Sequence, residues 1–129
     1  MSSKREEEYL NPGTNIWYRV KRDIELKIIT GEYTTGERIP TIVELMEQYH
    51  IGKATAQKVI NSLYDEGIII KKVGMGCFVK PFVKEMLFAK HKNQLAGQIM
   101  SAVEEASLMG LDKNYVVKIM DETWGKANK

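Results

Sequence analysis

The sequence predicts a mainly α (α+β) fold, in which three short helices and one β-hairpin are followed by a helical tail. Three observations carry this. Apolar residues recur at helical spacing in five separate stretches. A β-branched run, Ile68-Ile69-Ile70, is followed by two turn glycines and a second apolar run, the pattern of a hairpin. Capping and breaking residues stand where each stretch should begin or end.

The chain has 129 residues, of which 43% are hydrophobic and 28% charged. That fits one compact domain, or a small domain with an appendage, and leaves no room for a deep cleft plus a second full domain. The single cysteine, Cys77, excludes an internal disulfide and a multi-cysteine zinc site. The opening MSSKREEEYL is polar and charged, with no apolar run suited to a signal peptide. No stretch approaches the roughly 20 apolar residues that cross a bilayer. A cytoplasmic protein without membrane contact is expected. Net charge is +2. From Tyr9 to Lys84 there are 11 basic and 8 acidic residues, whereas from Glu85 onward there are 6 of each. The positive excess therefore lies in the front two-thirds.

Residues 1–10 are expected to be a flexible N-terminus, and Asn11-Pro12-Gly13 a break. Thr14 or Asn15 can cap a first helix. Its apolar stripe is Ile16, Val20, Ile24 and Ile28, with Trp17 adjacent, and Gly31 ends it. Glu32 to Pro40 is a turn region. Thr41 can cap a second helix, and Glu44 three residues on completes a capping box. This helix carries Val43, Leu45 and Met46 and ends near Tyr49. His50-Ile51-Gly52 makes a tight turn. A third helix runs from about Lys53 to Glu66 on the stripe Ala56, Val59, Ile60 and Leu63, and Gly67 stops it.

The hairpin follows, with Gly74-Met75-Gly76 as its turn and Cys77 to Lys80 as its second strand; Pro81 closes it. From about Val83 the helical pattern returns. Phe88, Leu95, Ile99, Ala102, Ala106 and Met109 form a seam spaced by threes and fours, as in helices packed along one another. Gly110 breaks the seam. Asp112 can cap a last helix carrying Tyr115, Val116, Ile119, Met120 and Trp124.

Helix, short helix, tight turn, helix, hairpin is the order of a winged helix-turn-helix. In that arrangement the second helix braces the third, whose exposed face can lie in the major groove of double-stranded DNA. Lys53, Thr55, Gln57 and Lys58 stand on the polar side of the third helix near its N-terminus, where backbone N–H groups also favour phosphate. The other reading of the same residues is a solvated amphipathic face. The domain division expected is residues 11–81 for DNA binding and 82–129 for a dimerisation tail.

Four stretches carry a family resemblance. They are I-I-T-G-E-Y-T-T-G-E-R-I-P-T from Ile28, H-I-G-K-A-T-A from His50, S-L-Y-D-E-G-I-I from Ser62 and K-K-V-G-M-G-C-F-V from Lys71. Their glycines, proline and apolar positions resemble the DNA-binding domain of GntR-type bacterial regulators over about fifty residues. The short two-helix tail resembles the YtrA-like members, in which such a tail mediates dimerisation. The resemblance implies a transcription regulator, a repressor acting as a homodimer on an inverted repeat. This chain departs from the family at Thr41, where serine is usual, and at Val43 and Met75, where arginine is usual. Gly52-Lys53 stands for Ser-Arg. Lysine reaches phosphate or a guanine edge without the bidentate fork of arginine.

Other residues carry paired readings. Gly74 and Gly76 let a wing backbone approach a minor groove, or simply satisfy an unusual turn. Met75 at the tip is an apolar wedge or a plain loop residue. Arg38 reaches phosphate or pairs with a glutamate. Lys71 and Lys72 alternate across the hairpin, and Lys72 is preferred for DNA. His50 and His91 read as structural, since a metal site needs more ligands, and Cys77 reads as a small apolar residue rather than a redox switch. Trp17 and Trp124 read as core or dimer anchors.

No nucleophile–base pairing, phosphate loop or metal spacing is present in the sequence, so neither an enzyme nor a cofactor is expected. No ligand constellation names a small-molecule effector. The competing function is a winged-helix protein-interaction module with weak or vestigial DNA binding, motivated by Val43, Gly52 and Met75.

Overall fold

The computed structural model describes residues 15–128. The expectations for residues 1–10, for the break at 11–13 and for Thr14 as a cap lie outside them. The described residues form α1 (Ile16–Ile29), α2 (Ile42–Tyr49), α3 (Lys53–Asp65), β1 (Ile69–Lys72), β2 (Gly76–Val79), α4 (Val83–Leu108) and α5 (Lys113–Ala127). The mainly α winged helix-turn-helix expected from the sequence is the fold observed.

The first helix opens on Asn15, whose side chain accepts from the Tyr18 N–H at 3.3 Å. Val20, Ile24 and Ile28 are buried as the four-residue spacing predicts, but Ile16 is 47% exposed. A strict repeat of four drifts around a helix of 3.6 residues per turn, so the end of the stripe rotates off the core. Trp17 packs on the core instead. The capping box of α2 is present in both directions: the Glu44 N–H donates to Thr41 Oγ1 at 3.1 Å, and the Thr41 N–H donates to Glu44 Oε1 at 2.8 Å. Hydrogen bonds from the Thr41 N–H, and then from its side chain, hold the Glu44 carboxyl below its ordinary range. Leu45 is fully buried, while Val43 is 62% exposed.

The predicted stripe of α3 (Ala56, Val59, Ile60 and Leu63) is buried throughout. Both α1 and α2 pack on α3, so the third helix is the centre of the front unit. The exit from α3 is a Schellman motif. The Gly67 N–H donates to the Tyr64 carbonyl, the Ile68 N–H donates to the Leu63 carbonyl, and Gly67 takes φ +74. The chain thereby turns sharply from α3 into the wing.

The wing is a two-stranded antiparallel sheet in the register Ile69 to Val79, Ile70 to Phe78, Lys71 to Cys77 and Lys72 to Gly76. Its turn comprises Val73, Gly74 and Met75, one residue earlier than the sequence suggests, because Gly76 pairs with Lys72. The Met75 N–H donates to the Lys72 carbonyl at 2.9 Å, and φ +74 at Gly74 suits the third position of that turn. The segment before Pro40 also pairs with the outer side of β2. Ile39 N–H donates to the Cys77 carbonyl, and Val79 N–H to the Glu37 carbonyl, both at 2.9 Å.

Compact packing divides the chain between Phe88 and Ala89. Val83 and Leu87, on the opening turns of α4, are fully buried and belong to the core of the front unit. In the rear unit α4 continues to Leu108. A second Schellman motif, at Gly110, leads to Asp112, which caps α5 by accepting from the Asn114 N–H at 3.4 Å. No residue of α5 is buried.

Candidate nucleic-acid interface

The His50-Ile51-Gly52 turn fixes where α3 begins. His50 lies in the left-handed region, at φ 54 and ψ 49, and its N–H donates to the Met46 carbonyl to close α2. Tyr49, one residue earlier, is tied to α1: its hydroxyl donates to the Asp23 carboxylate, and Lys27 Nζ donates to the hydroxyl at 3.5 Å. Burial, followed by the bond to Asp23 and its charge, pushes the Tyr49 phenol up to about 12. The cap of α3 is Gly52, which contributes no side-chain hydrogen bond. The first N–H groups of the helix are therefore left to an outside acceptor.

Lys53 and Lys58 are exposed on α3, and Thr55 and Gln57 are half-buried beside them. The structure gives two of these side chains protein partners. Lys58 Nζ lies 4.5 Å from the centroid of the Trp17 ring. Gln57 Nε2 donates to Asn61 Oδ1 at 3.0 Å. Sequence reasoning missed Asn61, although its spacing of four from Gln57 and eight from Lys53 places all three on one stripe.

The hairpin brings in the rest. Lys72 Nζ stands 4.7 Å over the Phe78 ring, and Lys71 Nζ stands 4.5 Å over Tyr64 on α3. Met75 at the tip is 61% exposed. Gly74 has open space around it, so its dihedral alone requires glycine. At Gly76, φ is +112 and an added Cβ would sit 3.1 Å from Arg38 Cδ. The Arg38 arm therefore packs across the base of the wing turn, and Arg38 forms a bridge with Phe78. The Arg38 charge also contributes, last among the causes, to lowering the Glu44 carboxyl.

Thr41 is placed as the α2 cap. Its oxygen accepts from the Glu44 N–H, and its hydroxyl also bonds to the Glu44 carboxylate and helps lower that carboxyl. Cys77 is half-buried against the core, and burial raises its thiol above the ordinary range. Among the described residues no group of three or more His, Cys, Asp or Glu is arranged to hold a metal ion. None of the described helices is long and apolar enough to cross a membrane.

A short capped helix, a tight turn, an exposed lysine-bearing helix and a glycine-tipped hairpin together define a winged helix-turn-helix protein. Over residues 18–79 the chain matches the pattern of the gntR family of bacterial regulatory proteins. It is 36% identical over 83 residues to the uncharacterized HTH-type transcriptional regulator YurK of Bacillus subtilis strain 168, covering 62% of this chain and 34% of that protein. It is 34% identical over 61 residues to the histidine utilization repressor of Klebsiella aerogenes, covering 47% of this chain and 25% of that one. The chain thus spans about a third or less of the length of these relatives. The GntR family transcriptional regulator from Listeria monocytogenes shares the fold with a TM-score of 0.69 at 23% identity, covering 84% of this chain and 94% of that one. A transcriptional regulator from Oenococcus oeni does so at 0.66 and 17%, over 84% and 90%.

Proposed function

We propose that this chain is a sequence-specific DNA-binding transcription regulator, a repressor that acts in the cytoplasm as a homodimer on an inverted-repeat operator. The observation that carries the reading is the outer face of α3. Lys53, Thr55 and Gln57 stand on the first turns of a helix whose N-terminus is uncapped by any side chain, and a turn anchored by Tyr49 sets its position. Lys58, Lys72 and Arg38, with Thr41 at the α2 cap, supply flanking contacts to phosphate. Gly74, Met75 and Gly76 carry the wing toward the adjacent groove. The lysine-bearing character of this face favours DNA over a protein partner.

Dimerisation is proposed for the helical tail of residues 82–129, in the manner of the YtrA-like subgroup. Phe88, Leu95, Ile99, Met109 and Trp124 are large apolar side chains exposed in the single chain, with Ala102 and Ala106 between them on the same seam. Such surface is covered in solution by a matching copy. Two recognition helices related by a two-fold axis then require an inverted repeat.

The test is fluorescence anisotropy on the DNA upstream of the chain's own gene, titrated in the presence of nonspecific competitor. Binding should weaken with salt, with a log–log slope of about −0.9 per phosphate neutralised, and Lys53→Ala should lower that slope by about one contact per protomer. Binding that nonspecific competitor abolishes at low salt would refute the reading.

A further inference from the structure

We infer that Asn61 is a positioning residue that turns Gln57 into a reader of adenine in the major groove. This rests on the DNA-binding reading above and names what one side chain of that face recognises.

The starting point is the hydrogen bond from Gln57 Nε2 to Asn61 Oδ1, 3.0 Å long, on the outer side of α3. A free primary amide has two N–H donors and one carbonyl acceptor. It can meet the adenine edge, which presents N7 as acceptor and N6–H as donor. It can equally turn its two N–H groups toward the N7 and O6 acceptors of guanine. The bond to Asn61 commits one N–H. What remains is one donor and one acceptor, which matches adenine. Against guanine the same pair would set the Gln57 carbonyl opposite the O6 carbonyl, acceptor against acceptor.

The bond also fixes which end of the amide is nitrogen, because only the NH2 end can donate to Asn61 Oδ1. With Asn61 presenting Oδ1, as the structure has it, the Gln57 amide is left with one donor and one acceptor; turning over both amides would free both Gln57 N–H groups, so the adenine pattern depends on Asn61 presenting its oxygen. Lys53, Gln57 and Asn61 follow at intervals of four residues, outside the buried stripe of Ala56, Val59, Ile60 and Leu63. The cation leads the row and the amide pair follows it. Lysine at the helix start supplies phosphate attraction without a bidentate fork, so discrimination passes to the neutral amide.

The experiment uses the full chain. A preferred site is selected from a random-sequence DNA pool, and anisotropy then gives the affinity for every single-base variant of that site. One position in each half-site is expected to prefer adenine over guanine by about 10- to 100-fold. Gln57→Ala should reduce that ratio to within about twofold. Asn61→Ala should reduce it by about fivefold or more, with the ratios at the other positions and the salt slope unchanged. Asn61→Gln, which keeps an amide acceptor one turn away, should restore most of it. A purely structural role for Asn61 would lower affinity for all sequences together and leave the ratio alone.

Sequence-specific binding in which neither alanine variant alters any adenine-to-guanine ratio overturns the inference and leaves the regulator reading intact. So does a ratio that Gln57→Ala flattens and Asn61→Ala does not. Selection of no preferred site removes both.

Discussion

Replacing Tyr49 by phenylalanine deletes one oxygen from the junction that aims the recognition helix. That oxygen donates to Asp23 on α1 and accepts from Lys27, and Lys27 lies 3.6 Å from both Asp23 and Glu32. In the folded chain the phenol is pushed from 10.0 to about 12, by burial first and by Asp23 second. Two units correspond to about 2.7 kcal/mol between the protonation states in a fully protected site. Burial acts by penalising the phenolate, so near neutral pH Tyr49→Phe loses only the half-buried hydroxyl's bonds to Asp23 and Lys27, an expected cost of about 1–1.5 kcal/mol. Because folding raises this pKa, the contribution is complete below pH 10 and is lost as pH climbs through about 12. Urea unfolding followed by circular dichroism should show the deficit in full near neutral pH, with a melting temperature lower by about 5 °C. The gap between wild type and variant should close as the solution becomes strongly alkaline, and the late-titrating component of the tyrosinate absorbance, to which Tyr33 also contributes, should shrink. Equal stabilities near neutral pH, or a gap that does not change with pH, would refute the reasoning.

Three further perturbations test other links. Leu45 is fully buried where α2 meets the core. Leu45→Ala should therefore cost about 2–5 kcal/mol in chemical denaturation through lost transfer energy and a residual cavity. His50 holds a left-handed conformation that penalises a side chain. His50→Gly should stabilise the chain by about 0.5–1 kcal/mol, the relieved strain exceeding the greater freedom of glycine in the unfolded chain; a destabilised variant would show that the imidazole contributes contacts of its own. Ile99→Glu places a carboxylate in the proposed dimer seam. Light scattering should report twice the chain mass for wild type and an association about 100-fold weaker for the variant; a wild type that elutes as a monomer at every concentration would eliminate the tail dimer.

Much of the fold was legible because its elements announce themselves twice, by apolar period and by chain-end chemistry. The third helix is the clearest case: its four predicted core residues are all buried, and Gly67 stops it with the positive φ such an end requires. The capping box of Thr41 and Glu44 was legible for the same reason, since two local hydrogen bonds depend on a spacing of three. What escaped depends on rotation or on distance along the chain. The exposed Ile16 reflects the drift of a strict repeat of four. The pairing of Glu37 and Ile39 with β2 joins segments about forty residues apart, and nothing local in that turn region signals it. At the candidate interface the residue types were readable and their partners were not. Gln57 was visible as polar, but its bond to Asn61 commits half of its donor capacity. Lys58 was visible as a cation, but the Trp17 ring beneath it belongs to a different helix.

That ring contact bears on the proposed attraction for DNA of a face with lysine at 53 and no arginine at Val43 or Met75. Lys58, Lys71 and Lys72 are held over Trp17, Tyr64 and Phe78 at 4.5 to 4.7 Å. A carboxylate partner would hold a lysine equally well, but it would bring a negative charge to the surface proposed to meet phosphate. A ring has no net charge, so it restrains the ammonium without cancelling its field. Such a contact contributes about 0.5–1 kcal/mol at an exposed site, little enough for the lysine to exchange the ring for a phosphate oxygen when DNA arrives. In the proposed complex the rings under Lys58 and Lys72 would order these two flexible cations before binding, which lowers the entropy lost on contact. On the proposed reading these cations would position the protein on the DNA backbone whatever the base sequence. Discrimination among sequences then falls to the uncharged side chains between them, which is why the state of the Gln57 amide matters more here than it would beside an arginine fork.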